Sequence, residues 1–321
     1  MAAHIATLAG DKHTRSADGY VKLPNPHLAG LRQDGLFHIK VPLDDHETLK
    51  EFSNVKFVCI GGTPGRVRLL AEKLSTELNL GKEKDTGDGP EHHFDFSFST
   101  ERYSGYKVGP VFCVNHGMGL PSVAILLHEV FKLLQAAGCS GVTLIRVGTC
   151  GGLGVEPGTV VVSSGSLTAG LKEVYVTSAL GQPVELPVAV DQDLVKEISA
   201  CASSAEGDDF KVKVGKTYCA EDFYQGQGRL DGSFCDYSKE DQLRFFNKLQ
   251  SLGVCNIEME SAAVLAMAHK VGVKAAVVCV VLVDRLKCDL PLLTVEEMKR
   301  IENYPLQLII RHIKKQLSKN S

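Results

Sequence analysis

From Val55 onward the chain repeats one pattern: a short run of β-branched and other apolar residues, a glycine-rich break, then apolar positions at helical spacing. VKFVCI leads through GGTPGR into RVRLLAEKLSTELNL, which reads as a helix. Thr63 before Pro64 suits an N-cap and a first helical residue, where a missing N–H costs nothing. GPVFCVNHG leads into MGLPSVAILLHEVFKLLQAAG, whose Ile125, Leu126, Val130, Leu133 and Leu134 are predicted to line one helical face. VTLIRVG reads as a third strand, ending at Arg146 and Thr149, and TVVVSS as a fourth, with another strand between Lys211 and Tyr218. KEDQLRFFNKLQSLG and SAAVLAMAHKVG read as helices on either side of CNIEME. AAVVCVVLV suits the middle of a sheet, apolar on both faces. Thr294 and Glu297 form a capping box before a last helical region that Pro305 interrupts.

Strands alternating with helices predict an α/β fold in three layers, with a largely parallel sheet. Residues 1–25 are polar and aperiodic, and are expected to be a disordered extension; residues 26–318 are expected to form a single domain. Gly81 to Phe98 and Leu171 to Pro187 read as insertions.

Composition narrows the picture by exclusion. Of 321 residues, 44% are apolar and 23% charged, which suits a globular protein with an ample core. A net charge of −3 provides no basic field for nucleic acid or an anionic membrane. The longest apolar run, Ala275 to Val283, is far shorter than the roughly 20 residues of a membrane span. The first residues hold no long apolar stretch, so no signal peptide is expected. Ten cysteines without a CxxC pair suggest free buried thiols in a reducing cytoplasm, and no metal-ligand spacing is present.

In α/β sheets ligands bind beyond the C-terminal ends of strands, so the residues there are the candidates. They include Gly61, Gly62 and Arg66, then His116 to Gly119, then Arg146 and Thr149, and later Gln227, Arg229, Glu258, Met259, Glu260, Asp284 and Arg285. Arg66 falls in a first helical turn and Arg146 on a strand expected to be buried, both unfavourable places for a cation. A phosphate between them would offset both costs, because guanidinium forks match its oxygens; structural carboxylates would do so too. In FYQGQGRLDG, Gln227 and Arg229 could read the O=C–N–H–C=O edge of a uracil ring, or belong to an ordinary surface turn. In NIEMES, Glu258 and Glu260 would share one face of an extended segment and could accept hydrogen bonds from a ribose diol. Met259 offers an adaptable apolar contact. The same two carboxylates also suit a glycosidase pair or the acidic first turn of a helix.

VKFVCIGGTPGR, VNHGMGLPS, IRVGTCGGLG, FYQGQGRLDG and NIEMES, in this order, resemble the nucleoside phosphorylase family, in its pyrimidine branch. FHI and ERYSGYKVGPV look like the animal members, and the resemblance runs from Pro24 to Leu317. It implies a three-layer α/β/α sandwich with a mixed, partly barrel-like central sheet. By the same resemblance, Gly62, Arg66, Arg146 and Thr149 would hold inorganic phosphate, with Arg102 completing that site from a neighbouring subunit of a homodimer. His38 would reach across to the ribose, which Glu258, Met259 and Glu260 would bind. Phe223, Gln227, Arg229 and Arg285 would hold uracil. The implied reaction is the reversible phosphorolysis of uridine, without metal or organic cofactor, with Arg146, Gln227, Arg229 and Glu260 as the catalytic set. Asp284 departs from the asparagine of many pyrimidine members, and SSGSLTAG is less familiar than the motifs around it. A purine phosphorylase, a nucleosidase and a non-catalytic nucleoside-binding homologue of the same fold are the alternatives.

Overall fold

The structure is a computed structural model, and it describes residues 19–30, 36–79, 94–202 and 210–319. Among these, the elements run α1 (His46–Phe52), β1 (Phe57–Gly61), α2 (Pro64–Glu77), β2 (Phe96–Ser99), β3 (Ser104–Val108), β4 (Val111–Asn115), α3 (Leu120–Ala136), β5 (Thr143–Gly152) and β6 (Val160–Leu167). There follow β7 (Val174–Ala179), β8 (Gln182–Pro187), α4 (Gln192–Ser199), β9 (Val212–Cys219), α5 (Lys239–Ser251), β10 (Val254–Glu258), α6 (Ser261–Lys270), β11 (Lys274–Asp284), α7 (Val295–Glu302) and α8 (Tyr304–Lys319).

Nine strands form one sheet in the order β10-β9-β6-β11-β5-β1-β4-β3-β2. β10 also pairs antiparallel with β5, Asn256 opposite Gly152 and Ile257 opposite Gly151, which closes five strands into a ring. β1 runs parallel to β4 and β5, and β11 parallel to β5, while β11 meets β6 antiparallel. The sheet is therefore mixed and partly barrel-like, as the resemblance implies. Both its faces are covered. Val58 and Ile60 of β1 pack with α3 and α6, and Phe57 and Cys59 pack on the opposite side with α2, α4 and α8. Alternate side chains point to opposite faces, so a strand buried on both sides reads as an unbroken apolar run.

Several local expectations are met. Thr63 accepts the backbone N–H of Arg66 and caps α2, with Pro64 in the first turn. The capping box of Thr294 and Glu297 opens α7, and Pro305 stands in the first turn of α8, where a new helix starts. Others are corrected. Ile125 is 38% exposed; the buried face of α3 instead carries Val123, Leu126, Leu127, Val130, Phe131, Leu133 and Leu134. β5 does not stop at a glycine turn but runs through GTCGG. Leu171 to Pro187 carries the β7–β8 hairpin, whose Leu180 and Gly181 both have positive φ, as a two-residue turn of this hand requires. Of the two regions expected to lie outside the fold, residues 1–18 and 80–93 fall outside the described residues. Their flanks are folded: Tyr20 pairs with Ser140, Val21 is buried, and β2 pairs with β3.

Candidate active site

A cavity of about 480 Å³ opens at the C-terminal ends of β1, β4, β5, β10 and β11. All the residues assigned to phosphate, ribose and uracil line it, except His38 and Arg102; of the other strand-end candidates, Gly61, Gly119 and Asp284 do not.

One end collects Gly62, Thr63, Arg66, His116, Arg146 and Thr149. Arg66 lies partly buried on α2, its Nε donating to Thr63 Oγ1 at 3.2 Å. Arg146, 4% exposed, lies within β5, and its guanidinium crosses the strand above Gly148. A Cβ at Gly148 would stand 2.6 Å from Arg146 Nη1, so a side chain there would displace the guanidinium. Gly151 does the same for Arg285, whose Cγ would be 2.8 Å from a Cβ. Gly148 and Gly151 of GTCGG are thus bare strand positions that two arginines fill, rather than a turn aimed at an anion.

Arg146 is not a lone buried charge. Its Nη2 bonds Glu260 and lies 3.2 Å from Glu258 Oε2, and its Nη1 donates to Cys279 Sγ at 2.7 Å. Burial weakens the guanidinium's hold on its proton, but Cys279, Glu260 and Glu258 outweigh that and keep it charged. The carboxylate reading of the sequence therefore holds for Arg146 itself, beside any anion in the cavity. The two glutamates differ in duty. Glu258 ends β10 and accepts the backbone N–H groups of Glu260 and Ser261, all at 3.0 Å, so it caps α6. Burial raises the Glu258 carboxyl above its usual range. Burial pushes Glu260 the same way, yet Arg146 prevails and holds it below that range. Gly119 N–H donates to Glu260 Oε1 at 2.6 Å.

His116, one of the strand-end candidates in VNHG, was given no role from the sequence. It is 1% exposed, and neither ring nitrogen has a hydrogen-bond partner among the described residues; nor has Arg146 Nε. Burial, with Arg146 nearby, lowers its pKa to about 3, so the imidazole is neutral.

The other end carries Phe223, Gln227, Arg229, Arg285 and Asp289. The Arg229 fork grips Asp231, with Nε to Oδ1 at 2.8 Å and Nη2 to Oδ2, and lies 4.5 Å above the Phe223 ring centroid. Asp231 raises the proton affinity of Arg229. Arg285 donates from Nη1 to Gln227 Oε1 at 3.2 Å and from Nη2 to Asp289 Oδ1 at 2.8 Å. Neither Asp231 nor Asp289 was anticipated; the signal was opposite charge two and four residues after an arginine. Asp284 is not among the lining residues: its Oδ1 accepts the N–H groups of Gly154 and Leu286.

His38 and Arg102 lie away from this cavity. His38 is tied to Glu129, backbone N–H and Nδ1 both donating to Oε1, at 2.9 and 2.7 Å, with Tyr103 beside the ring. Arg102 is exposed in the turn between β2 and β3.

Donors for an anion, buried carboxylates and a paired amide and fork thus line one cavity. Residues 56–303 match the model of the phosphorylase superfamily. The chain is 38% identical over 318 residues to uridine phosphorylase 1 of Mus musculus, covering 99% of each. The chain belongs to the phosphorylase superfamily. Within it, a solved uridine phosphorylase from Schistosoma mansoni in complex with thymidine superposes with a TM-score of 0.85 at 35% identity, covering 92% of this chain and 99% of that one. Another Schistosoma mansoni relative, named inactive uridine phosphorylase B, is 36% identical over 291 residues, covering 91% of this chain and 95% of its own.

Proposed function

We propose that the chain catalyses the reversible phosphorolysis of uridine, giving uracil and ribose 1-phosphate, in pyrimidine nucleoside catabolism and salvage. The observation that carries this is the set of groups that line one cavity: Arg66 and Arg146, Glu260 with Met259, and Gln227 with Arg229. Relatives in the superfamily act on uridine by name, and one holds thymidine. A relative of similar identity is named inactive, so membership of the family does not by itself carry the activity.

Gly62, Arg66, Arg146 and Thr149 would hold phosphate; Glu260 and Met259 the ribose; Gln227, Arg229, Arg285 and Phe223 the base. As the glycosidic bond lengthens, positive charge grows on the ribose. The bound phosphate stabilises it and attacks the anomeric carbon from the far face. Uracil leaves with negative charge on its carbonyl oxygens, where Arg229 and Gln227 supply donors whose interaction strengthens toward the transition state. Glu258, engaged in capping α6, orients Arg146 rather than touching the sugar. Asp284 spends its Oδ1 on backbone N–H groups outside the cavity lining, which argues against a purine acid in that position.

His38 and Arg102 are assigned to the cavity of a second copy in a homodimer. Neither lines its own chain's cavity, and Phe37 beside His38 is 79% exposed, an apolar surface suited to a partner. Residues 26–318 act as one domain, since the cavity draws on one sheet from Gly62 to Pro291. Ten free thiols support a reducing, cytoplasmic setting.

The test is absorbance-monitored turnover of uridine, thymidine and inosine, each with and without phosphate. Phosphate-dependent loss of uridine with inosine untouched is expected. Inosine cleavage would move the assignment to purines, and phosphate-independent cleavage to a nucleosidase.

A further inference from the structure

Asp289, in the segment between β11 and α7, joins the groups assigned to the base. Its Oδ1 accepts from Arg285 Nε at 3.1 Å and Nη2 at 2.8 Å, and from Gln242 Nε2 of α5 at 3.3 Å. Its Oδ2 accepts the Leu230 N–H at 3.2 Å, and its backbone carbonyl accepts Arg229 Nη1 at 2.9 Å. One residue thus holds one arginine through its side chain and the other through its backbone.

The hold on Arg285 extends to Gln227. A guanidinium has only donors, so the Gln227 atom 3.2 Å from Arg285 Nη1 is the carbonyl oxygen, and the NH₂ group faces the other way. Arg285 Nη2 also donates to the Gln227 backbone carbonyl at 3.1 Å, which fixes the two residues together. The amide cannot invert without setting its NH₂ against the guanidinium.

That matters for the base. Uracil carries an N–H between two carbonyls, so an amide of fixed sense can donate to a carbonyl and accept from the N–H. Cytosine has a lone pair where uracil has the N–H, and would meet the amide oxygen lone pair to lone pair. A site built to pair with one pattern rejects the other strongly, because its own polar groups go unpaired.

Resting on the uridine reading above, we propose that Asp289 is a positioning residue that sets the preference for uracil over cytosine, by holding Arg285 where it locks the Gln227 amide. Asp289→Asn is the informative change. Donors meet both carboxylate oxygens of Asp289, so an amide there must set its NH₂ against one of them.

Wild type, Asp289→Asn and Arg285→Lys are compared for kcat/KM on uridine, for cytidine as substrate and as competitor of uridine, and for the KM of phosphate. The lysine variant keeps a cation but loses the arm to Gln227, and it decides the matter if the asparagine variant does not fold. In Asp289→Asn, kcat/KM on uridine is expected to fall about tenfold to a hundredfold, the scale of a misplaced binding group. Cytidine becomes a competitor, and the KM of phosphate stays within about twofold, since the anion end is untouched. Unchanged kinetics would overturn the proposal. So would a loss on uridine accompanied by a matching rise in phosphate KM, with cytidine still excluded, which is what a merely structural role gives. Wild type that leaves uridine intact removes the uridine reading itself, and is visible before any variant is compared.

Discussion

At the base end of the cavity, Arg229 and Arg285 each have a carboxylate of their own, Asp231 and Asp289, placed a few residues downstream. At the sugar end, Arg146 is shared between Glu258 and Glu260, and the Nε of Arg146 and both nitrogens of His116 have no partner among the described residues. The base end is balanced in charge and internally hydrogen-bonded; at the sugar end Arg66 and Arg146 likewise match Glu258 and Glu260 in number, but polar atoms are left over. A balanced end is preorganised and governs which base is read. An end with surplus polar groups is completed by what binds there, so changes to it move stability and rate together.

The largest expected effect is at the shared arginine. Arg146→Ala strands two buried carboxylates, so it should cost about 3–5 kcal/mol of stability in chemical denaturation and abolish turnover. Arg146→Lys keeps the charge and should fold, while losing about a hundredfold to a thousandfold in kcat/KM for phosphate. Wild-type phosphate saturation in the lysine variant would break the contrast between the two ends. Arg229→Ala should raise the barrier to uridine cleavage by about 2–4 kcal/mol with little loss of stability, because the Asp231 it leaves is 37% exposed. A comparable loss of stability would show that the base end is no more self-sufficient than the other.

Acid should reveal His116. Its folded pKa of about 3 lies below the ordinary value of 6.5. The unfolded chain therefore binds the proton first, and the stability it contributes is present above 6.5 and lost as pH falls toward 3. From about pH 6 to about pH 4.5 that amounts to about 2 kcal/mol, read from denaturation midpoints. His312, lowered by burial to about 4, adds in the same direction, so His116→Asn should remove only part of the slope. The smallest effect is at the cavity mouth: Thr63→Ala should cost about 1 kcal/mol as a lost N-cap, seen as a lower Tm.

Much of this was legible in the chain. VKFVCI, GPVFCV and AAVVCVVLV announced strands buried on both faces, and TP announced the start of α2. Arg66 and Arg146 stood out because a cation contradicted its surroundings, whereas Gln227 and Glu260 stood out only for the hydrogen bonds their side chains could make. What escaped has physical reasons. The closure of β10 onto β5 joins residues a hundred positions apart, and no local pattern encodes it. Gly148 and Gly151 looked like a turn because bareness of a strand position shows only once the arginine it accommodates is in place. Ile125 fell on the wrong side of α3, since the apolar stripe there is wide and its edge is set by packing. His38 and Arg102 lie outside their own chain's cavity, so the role expected of them rests on the proposed homodimer.

Phosphorus NMR of uridine mixed with inorganic phosphate and the chain tests the central claim most directly. The account predicts a ribose 1-phosphate signal growing in step with uracil as inorganic phosphate falls. Uracil released while phosphate stays constant, or no change at all, would contradict it.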